Sequence, residues 1–526
     1  MKYTNPVVKG FYPDPSVCAA NGKYYMVCSS FQYFPGVPLF ESTDLVNWTQ
    51  IGHVLTRKNQ VMLEGIASSG GVFAPTIRFW NGRFYMVTTN NTTHENFYVS
   101  TDDIYGEWSD PISVNQGGID PSLYFEDGHT YFISNGSDAD GISGVVQCEI
   151  DPATGKKLTK SRTIWQGSGG RFLESPHMYR INGTYYLMAA EGGTEYGHMI
   201  TCARAHSVWG PFTSNPHNPV LTNRNKAPYI IQGIGHGDLV QDTYGNWHII
   251  SLGFRQQHLW MPYHNLGREV FLTPVSFKED GWFYAGADGT TDASYEIEGD
   301  FTQEIKSEYT FANTSPDIDW CYLRHPEPAN YEFSEAEYVL HGCKYTLDDT
   351  ASPTFFGLRQ RDFVMEFCAE VAIDGGEAGL TAYMCENEHY DIAVQKGMDG
   401  YEAVLKLNIG GIKHVQAVLP LKGAKARLVV RADNFRYNFF VAAEDALPEK
   451  AHTAEKDNDV KESSISAQSD TAAKMKEYFL GCGQAKYLTS EVSGGFTGVI
   501  MALYAVGENT ARFREFYCRY AVMERE

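Results

Sequence analysis

The chain has 526 residues, more than one core of usual size holds, so two domains are expected. A net charge of −22 sets it against nucleic acid, whose phosphates it would repel, while 43% hydrophobic and 14% aromatic residues suit a globular chain rich in strands. Ten cysteines without a CxxC pair, an N-terminus without an apolar signal core, and no run long enough to span a bilayer lead us to expect a soluble, reduced, cytoplasmic protein with no membrane partner.

The first predicted element is Phe11-Tyr12-Pro13-Asp14-Pro15-Ser16-Val17, followed by Asn21-Gly22-Lys23-Tyr24-Tyr25-Met26. It reads as a carboxylate at the start of a strand, a tight Asn-Gly turn, and an aromatic second strand. The unit returns four times, anchored on Gly82, Gly128, Gly183 and Gly245, at spacings of 60, 46, 55 and 62 residues counted from Gly22. A proline stands seven residues before each of the first four anchors (Pro15, Pro75, Pro121, Pro176). The residue ahead of it is Asp14, Ala74, Asp120 or Ser175, with Glu174 one place earlier, and the fifth copy carries His236-Gly237-Asp238 in the same window. Asp110-Pro111 and Asp151-Pro152 fall off this register and read as ordinary turns.

Short-strand repeats of this period predict a propeller, one four-stranded blade per copy, with equivalent ends of the innermost strands meeting around the axis. A second echo marks outer strands. Ser42-Thr43-Asp44-Leu45-Val46-Asn47-Trp48 returns as Ser100-Thr101-Asp102-Asp103-Ile104 ahead of Trp108, and more faintly as Ala205 to Trp209. These tryptophans are expected to pack inside blades rather than stack on a ligand. Residues 1–290 are therefore read as a five-bladed β-propeller catalytic domain, the first part of an all-β chain.

On one axis, Asp14, Asp120 and Glu174 would supply what an inverting glycosidase needs. One carboxylate stays ionised to activate water, another stays protonated to donate to the leaving oxygen, and a third raises the acid's pKa by like-charge repulsion. The plainer uses of the same residues are strand-end caps or ligands of a central cation.

Four motifs now stand in order: Tyr12-Pro13-Asp14-Pro15-Ser16, Ile119-Asp120-Pro121-Ser122, Leu173-Glu174-Ser175-Pro176-His177 and Gly235-His236-Gly237-Asp238. Together they resemble family 43 of the glycoside hydrolases, the β-xylosidase and α-L-arabinofuranosidase group, and the likeness covers nearly the whole chain. The resemblance implies an inverting, exo-acting enzyme that releases terminal α-L-arabinofuranosyl or β-D-xylosyl residues from hemicellulose-derived oligosaccharides. It makes Asp14 the general base, Asp120 the pKa modulator and orienting residue, and Glu174 the general acid. It sets His236 on the axis, beside a structural calcium or a water cluster, and requires no cofactor. Phe31 and Arg255 match positions that contact the terminal sugar. Phe73 stands where the best-known xylosidases carry tryptophan, which keeps ring stacking and leaves the sugar preference open. An oligosaccharide is the expected partner, and a homo-oligomer is left open.

Beyond Asp288-Gly289 the blade period stops. Residues 291–315 read as a linker, and the alternation in Phe363 to Cys368 and Ala426 to Arg431 predicts a β-sandwich over 316–526. This part resembles the concanavalin-like C-terminal domain of the same group, including Gly357-Leu358-Arg359-Gln360 and Ala378-Gly379-Leu380. Residues 449–474 are polar and without aromatics, as a solvated mobile insertion would be. Gly494-Gly495-Phe496-Thr497-Gly498 is either a strand turn or, by the resemblance, a loop whose Phe496 closes the pocket of the propeller. Three other readings fit the sequence less well. An invertase-like retaining glycosidase would open on Asn-Asp-Pro-Asn and place its acid ahead of cysteine, where this chain has Pro-Asp-Pro-Ser and Glu174-Ser175. A non-catalytic carbohydrate-binding propeller would be signalled by a missing carboxylate. A protein-interaction propeller would need no acids on the axis.

Overall fold

The computed structural model describes residues 1–258, 260–311, 315–444, 446–448, 452–453 and 476–521. They gather into two compact units. The first comprises Met1–Leu63, Ser69–Pro262 and Arg268–Glu304, the second Glu64–Ser68, Tyr263–Gly267 and Ile305–Glu526.

The first unit holds five four-stranded antiparallel sheets, each a meander of consecutive strands. Their innermost strands are Ser16–Ala20, Thr76–Trp80, Ser122–Glu126, Glu174–Ile181 and Ile231–Gln241. Each neighbours the next, and the last neighbours the first, so the ring is closed. The repeated turns explain why five copies fold alike. Asn21-Gly22, Asn81-Gly82, Asp127-Gly128 and Asn182-Gly183 all have positive φ at both residues, between 49° and 83°. That is the two-residue hairpin turn whose twist matches the flanking strands, and only Gly with Asn or Asp adopts it cheaply. The fifth copy uses a longer turn, in which the Asp242 carboxylate accepts from the amides of Tyr244 and Asn246 at 2.9 and 2.8 Å.

Apolar clusters fill the space between blades. One joins Met26, Phe40, Ile250 and Leu272, and another Tyr131, Ile133, Leu187 and Ala203. Trp108 is buried, Trp48 donates to the Leu45 carbonyl at 2.8 Å, and Trp209 meets the Tyr131 ring edge-on at 5.7 Å, so the three tryptophans are packing residues. The N-terminal segment runs along the fifth blade, with the Val7 amide on the Val270 carbonyl at 2.8 Å. Lys2–Thr4 pairs with Ser294–Glu296. The stretch expected as a linker therefore belongs, through Glu304, to the first unit: Tyr295, Ile297 and Phe301 have apolar surface to bury and pack into its core.

In the second unit, two antiparallel sheets face each other. One is built around Glu337–His341, Thr510–Tyr520, Met365–Ala372, Lys425–Ala432 and Arg436–Ala442, the other around Ile500–Val506, Glu377–Cys385, Glu388–Lys396 and Tyr401–Ile409. Alternate residues point inward. Phe367, Ala369, Val430 and Phe439 from one sheet meet Leu380, Ile392, Leu405 and Leu503 from the other in a single core. The predicted insertion at 449–474 lies outside the described residues apart from His452–Thr453, a short strand on Ile412–Leu421. Among the described residues no helix is long and apolar enough to cross a membrane.

Candidate active site

Four inner strands carry a kink at the equivalent place. Asp14 (φ 55°), Asp120 (53°), Ser175 (55°) and His236 (39°) all occupy the left-handed region, which non-glycine residues rarely adopt. In the first three the following proline bars the right-handed helical alternative, and aspartate tolerates the left-handed one better than larger side chains do. The kink breaks strand alternation and turns the side chain out of the pleat. On the fourth blade the pairing register slips between Glu174 and His177 for the same reason.

The kinks bring two of the predicted carboxylates, Asp14 and Asp120, to one imidazole. His236 Nδ1 lies 3.6 Å from Asp14 Oδ1 and 3.9 Å from Asp120 Oδ2. Asp14 accepts from the Ser29 hydroxyl at 2.5 Å and from Arg268 Nη1 at 2.9 Å. Asp120 accepts from the Ser175 amide at 3.1 Å, which ties it to the residue after Glu174.

Charge divides these groups. Burial pushes the Asp14 carboxyl up, but Arg268 and the Ser29 hydroxyl more than offset it, so Asp14 sits below its ordinary range. Burial and then the Asp14 charge push Glu174 up to about 7, with Arg268 opposing. Asp120 is raised well above its ordinary value, by burial first and then by Glu174 and Asp14. Asp120 and Glu174 repel each other, so they release protons in separate steps that belong to the pair. Burial also lowers His236, despite Asp14, and the neutral ring leaves the carboxyl cluster uncompensated. The cluster thus keeps one carboxylate ionised and holds a carboxylic acid protonated up to about pH 7, the division that general base and general acid require.

The family 43 model of glycosyl hydrolases matches residues 3–283, and the beta xylosidase C-terminal concanavalin A-like domain matches residues 308–458. The chain belongs to glycosyl hydrolase family 43. It is 34% identical to a non-reducing end alpha-L-arabinofuranosidase of Bacteroides ovatus over 97% of this chain and 92% of that protein. It is 32% identical to a xylosidase/arabinosidase of Butyrivibrio fibrisolvens over 98% of both. Two solved structures superpose over 99% of this chain and 100% of their own: the Bacteroides ovatus xyloglucan PUL GH43B (TM-score 0.87, 32% identity) and a xylan beta-1,4-xylosidase from Bacillus halodurans (0.86, 26%). The chain is a glycosidase, with the five-bladed propeller and C-terminal sandwich of its family.

Of the expected pocket walls in this family 43 hydrolase, Phe31 and Phe73 stand together, ring centroids 5.2 Å apart. Phe31 carries a φ of 50°, exchanges backbone hydrogen bonds with Val72, and lies under the Arg268 guanidinium at 5.6 Å. Gly71 permits this approach, since a Cβ there would stand 2.5 Å from the Phe31 carbonyl oxygen. Arg255 forms a two-pronged pair with Glu269 at 2.7 and 2.9 Å. The guanidinium beside Asp14 belongs instead to Arg268, which sequence reading passed over because Gly267-Arg268-Glu269 has no counterpart in the other copies. Ser29, which donates to Asp14, and Thr194, whose hydroxyl accepts from Arg268 Nη1 at 3.0 Å, lie on loops that do not repeat and were missed for the same reason. Phe496 lies in the second unit, after the helical turn Ser490–Ser493 capped by Gly494 (φ 69°), and is 39% exposed.

A calcium ion takes six to eight oxygen ligands. Among the described residues no group of three or more metal-ligating side chains is gathered for one. The two carboxylates nearest His236 are held by Arg268, Ser29 and the Ser175 amide. Both carboxylates are thus already engaged by protein donors, and the chemistry of the cluster is derived from its own side chains.

Proposed function

We propose that this family 43 hydrolase releases terminal α-L-arabinofuranosyl or β-D-xylosyl residues from short hemicellulose-derived oligosaccharides, with inversion. The carrying observation is the opposed protonation of Asp14, held low, and Glu174, raised to about 7, on equivalent inner strands of one ring. The printed activities of the full-length relatives, arabinofuranosidase and xylosidase/arabinosidase, support the choice of sugars.

In this reading Asp14 takes a proton from water as its oxygen bonds to the anomeric carbon. Glu174 gives its proton to the glycosidic oxygen as that bond breaks. Asp120 orients Glu174 through the Ser175 backbone and helps keep it protonated. Phe31 and Phe73 wall the terminal sugar beside Arg268, and the family resemblance assigns Phe496 to the exo-acting specificity. Phe496→Ala is expected to lower kcat/KM by about 10- to 100-fold with little change in melting temperature. Normal kinetics with a large fall in melting temperature would return the ring to the sandwich core. Among the described residues the cysteines form no disulfide, which suits a reducing, cytoplasmic setting. A calcium at His236 remains checkable: activity lost to a chelator and restored by calcium would install one there. Oligomeric state is read by light scattering.

The deciding experiment is a panel of 4-nitrophenyl glycosides, with proton NMR of the first product formed. Arabinofuranoside or xyloside turnover with inverted anomeric configuration is expected. Retained configuration, or turnover of neither sugar, would overturn the reading.

A further inference from the structure

One aromatic residue close to Glu174 in sequence has no part in the chemistry above. Phe172, two residues ahead of it, is 59% exposed and carries a φ of 54°. A single exposed phenylalanine is ordinary on a protein surface. A bulky side chain in the left-handed region is not, and such strain persists only where the surroundings enforce it.

The surroundings do so here. The Arg171 guanidinium covers one face of the Phe172 ring at 5.2 Å. Arg171 is itself fixed, donating from Nε to the Gly192 carbonyl at 3.1 Å and pairing with Glu195. The ring edge lies against Gly193, where a Cβ would stand 3.0 Å from Phe172 Cδ2. Upstream, the fully buried Glu191 accepts from the amides of Ser168 (2.7 Å) and Gly170 (2.5 Å), and a Cβ at Gly170 would stand 2.6 Å from Glu191 Oε2. The loop 167–173 is thus pinned at its root by a buried carboxylate and near its end by a cation–aromatic stack. What it presents is an apolar ring two residues ahead of the residue that protonates the departing oxygen.

We propose that Phe172 is the platform of the leaving-group subsite, stacking on the ring of the sugar or aryl group that departs. The placement rests on the reading of Glu174 as general acid. That acid must meet the glycosidic oxygen, and the next ring of the substrate lies immediately beyond that oxygen. Pyranose faces and aryl rings both stack on aromatic side chains, so the chemical class is a planar or chair six-membered leaving group rather than a small ion. The preformed strain and the pinned loop make the platform available without reorganisation on binding.

The test compares two leaving groups on one glycone, using the sugar selected by the glycoside panel. One substrate is the oligosaccharide or aryl glycoside, and the other is the glycosyl fluoride, whose leaving group is too small to reach Phe172. For Phe172→Ala the ratio of kcat/KM for the ring-bearing substrate to that for the fluoride is expected to fall about tenfold. Phe172→Trp should restore it. Phe172→Gly, which adopts positive φ without strain, serves as the second ring-less variant and should match Ala in ratio with an unaltered melting temperature. An unchanged ratio in both ring-less variants, whether through parallel losses or none, would overturn the subsite while leaving the glycosidase reading intact. Wild-type protein that hydrolyses neither substrate would overturn that reading, and the subsite with it.

Discussion

His236 and Asp238 stand two residues apart on one inner strand, yet they belong to centres built on opposite principles. Asp238 is fully buried and accepts from the Ser16 hydroxyl (2.7 Å), the Val17 amide (3.1 Å), both terminal nitrogens of Arg78 (2.7 and 3.2 Å), and the Tyr179 hydroxyl. Burial pushes this carboxyl up, but Arg78 and the Tyr179 hydroxyl hold it far below its ordinary range. Burial leaves His177 at about 3, hence neutral, and its Nδ1 accepts from Arg78 at 2.9 Å. One carboxylate meets one guanidinium and every acceptor site is used. Near His236, Arg268 pairs with Asp14 and is also the cation that Asp120 and Glu174 feel, and the imidazole beside Asp14 and Asp120 adds no charge. Matched charge holds four blades together at Asp238. Unmatched charge stores a proton at Asp120 and Glu174. Opposite responses to loss of charge follow at the two centres.

Glu174→Gln should show the largest effect. It removes the transferable proton and keeps the shape, so kcat is expected to fall by 10²- to 10⁴-fold, about 2.7 to 5.5 kcal/mol of barrier. Stability should move the other way. The folded pKa of about 7 lies above that of an unfolded glutamate, so the folded state binds the proton more tightly. Ionisation therefore costs stability as pH rises from the unfolded value through about 7. Melting curves of the variant and the wild type should nearly coincide at pH 5, with the variant higher at pH 8. A lower melting temperature at pH 8 would mean that the Glu174 charge is matched after all.

Asp238→Asn should invert that pattern. It leaves Arg78 buried without its counter-charge, a loss of about 3 to 5 kcal/mol. Urea denaturation should show this, while kcat per folded molecule stays within a few-fold of wild type. A fall in kcat without a loss of stability would make this centre part of the chemistry and dissolve the contrast.

The wild-type pH profile tests the same division without mutation. The base must be ionised and the acid protonated, so kcat/KM should fall about tenfold per pH unit above about 7, as free Glu174 loses its proton. The acidic limb should lie below the ordinary aspartate range, because Arg268 and Ser29 favour the Asp14 carboxylate. A profile flat from pH 6 to 9 would remove Glu174 from the role of acid.

How much of this was legible in sequence follows from repetition. Asp14, Asp120, Glu174 and His236 share a register with turn glycines, and a closed ring converts shared register into shared space. The Asn-Gly and Asp-Gly turns are local chemistry, readable from two residues. Arg268, Ser29 and Thr194 come from irregular loops after strands, where no copy supplies a register. Arg255 looked suitable because it ends a second strand of the fifth blade, but Glu269 on the neighbouring strand takes its fork. The boundary after residue 290 was misplaced for a different reason. The repeat ends there, while the N-terminal strand still needs a partner and finds it at Ser294–Glu296.

Thr194→Val carries the smallest expected effect and probes how the single guanidinium is aimed. Arg268 Nη1 donates to Asp14 Oδ1 at 2.9 Å and to the Thr194 hydroxyl at 3.0 Å, so one nitrogen is fixed between base and loop. Valine has nearly the same shape and removes the acceptor alone. Water can reach half-buried Thr194, which limits the loss to less than the roughly 1.5 to 3 kcal/mol of a fully buried hydrogen bond to a charge. With one restraint gone, Arg268 spends less time on Asp14 and favours its ionised form less. The acidic limb should then shift upward by a few tenths of a pH unit. Loss of alignment should lower kcat/KM by about two- to fivefold, under 1 kcal/mol. The basic limb, set by Glu174, should stay in place. A shift of both limbs would mean that Arg268 serves acid and base equally, and a shift of neither would mean that Asp14 alone holds it.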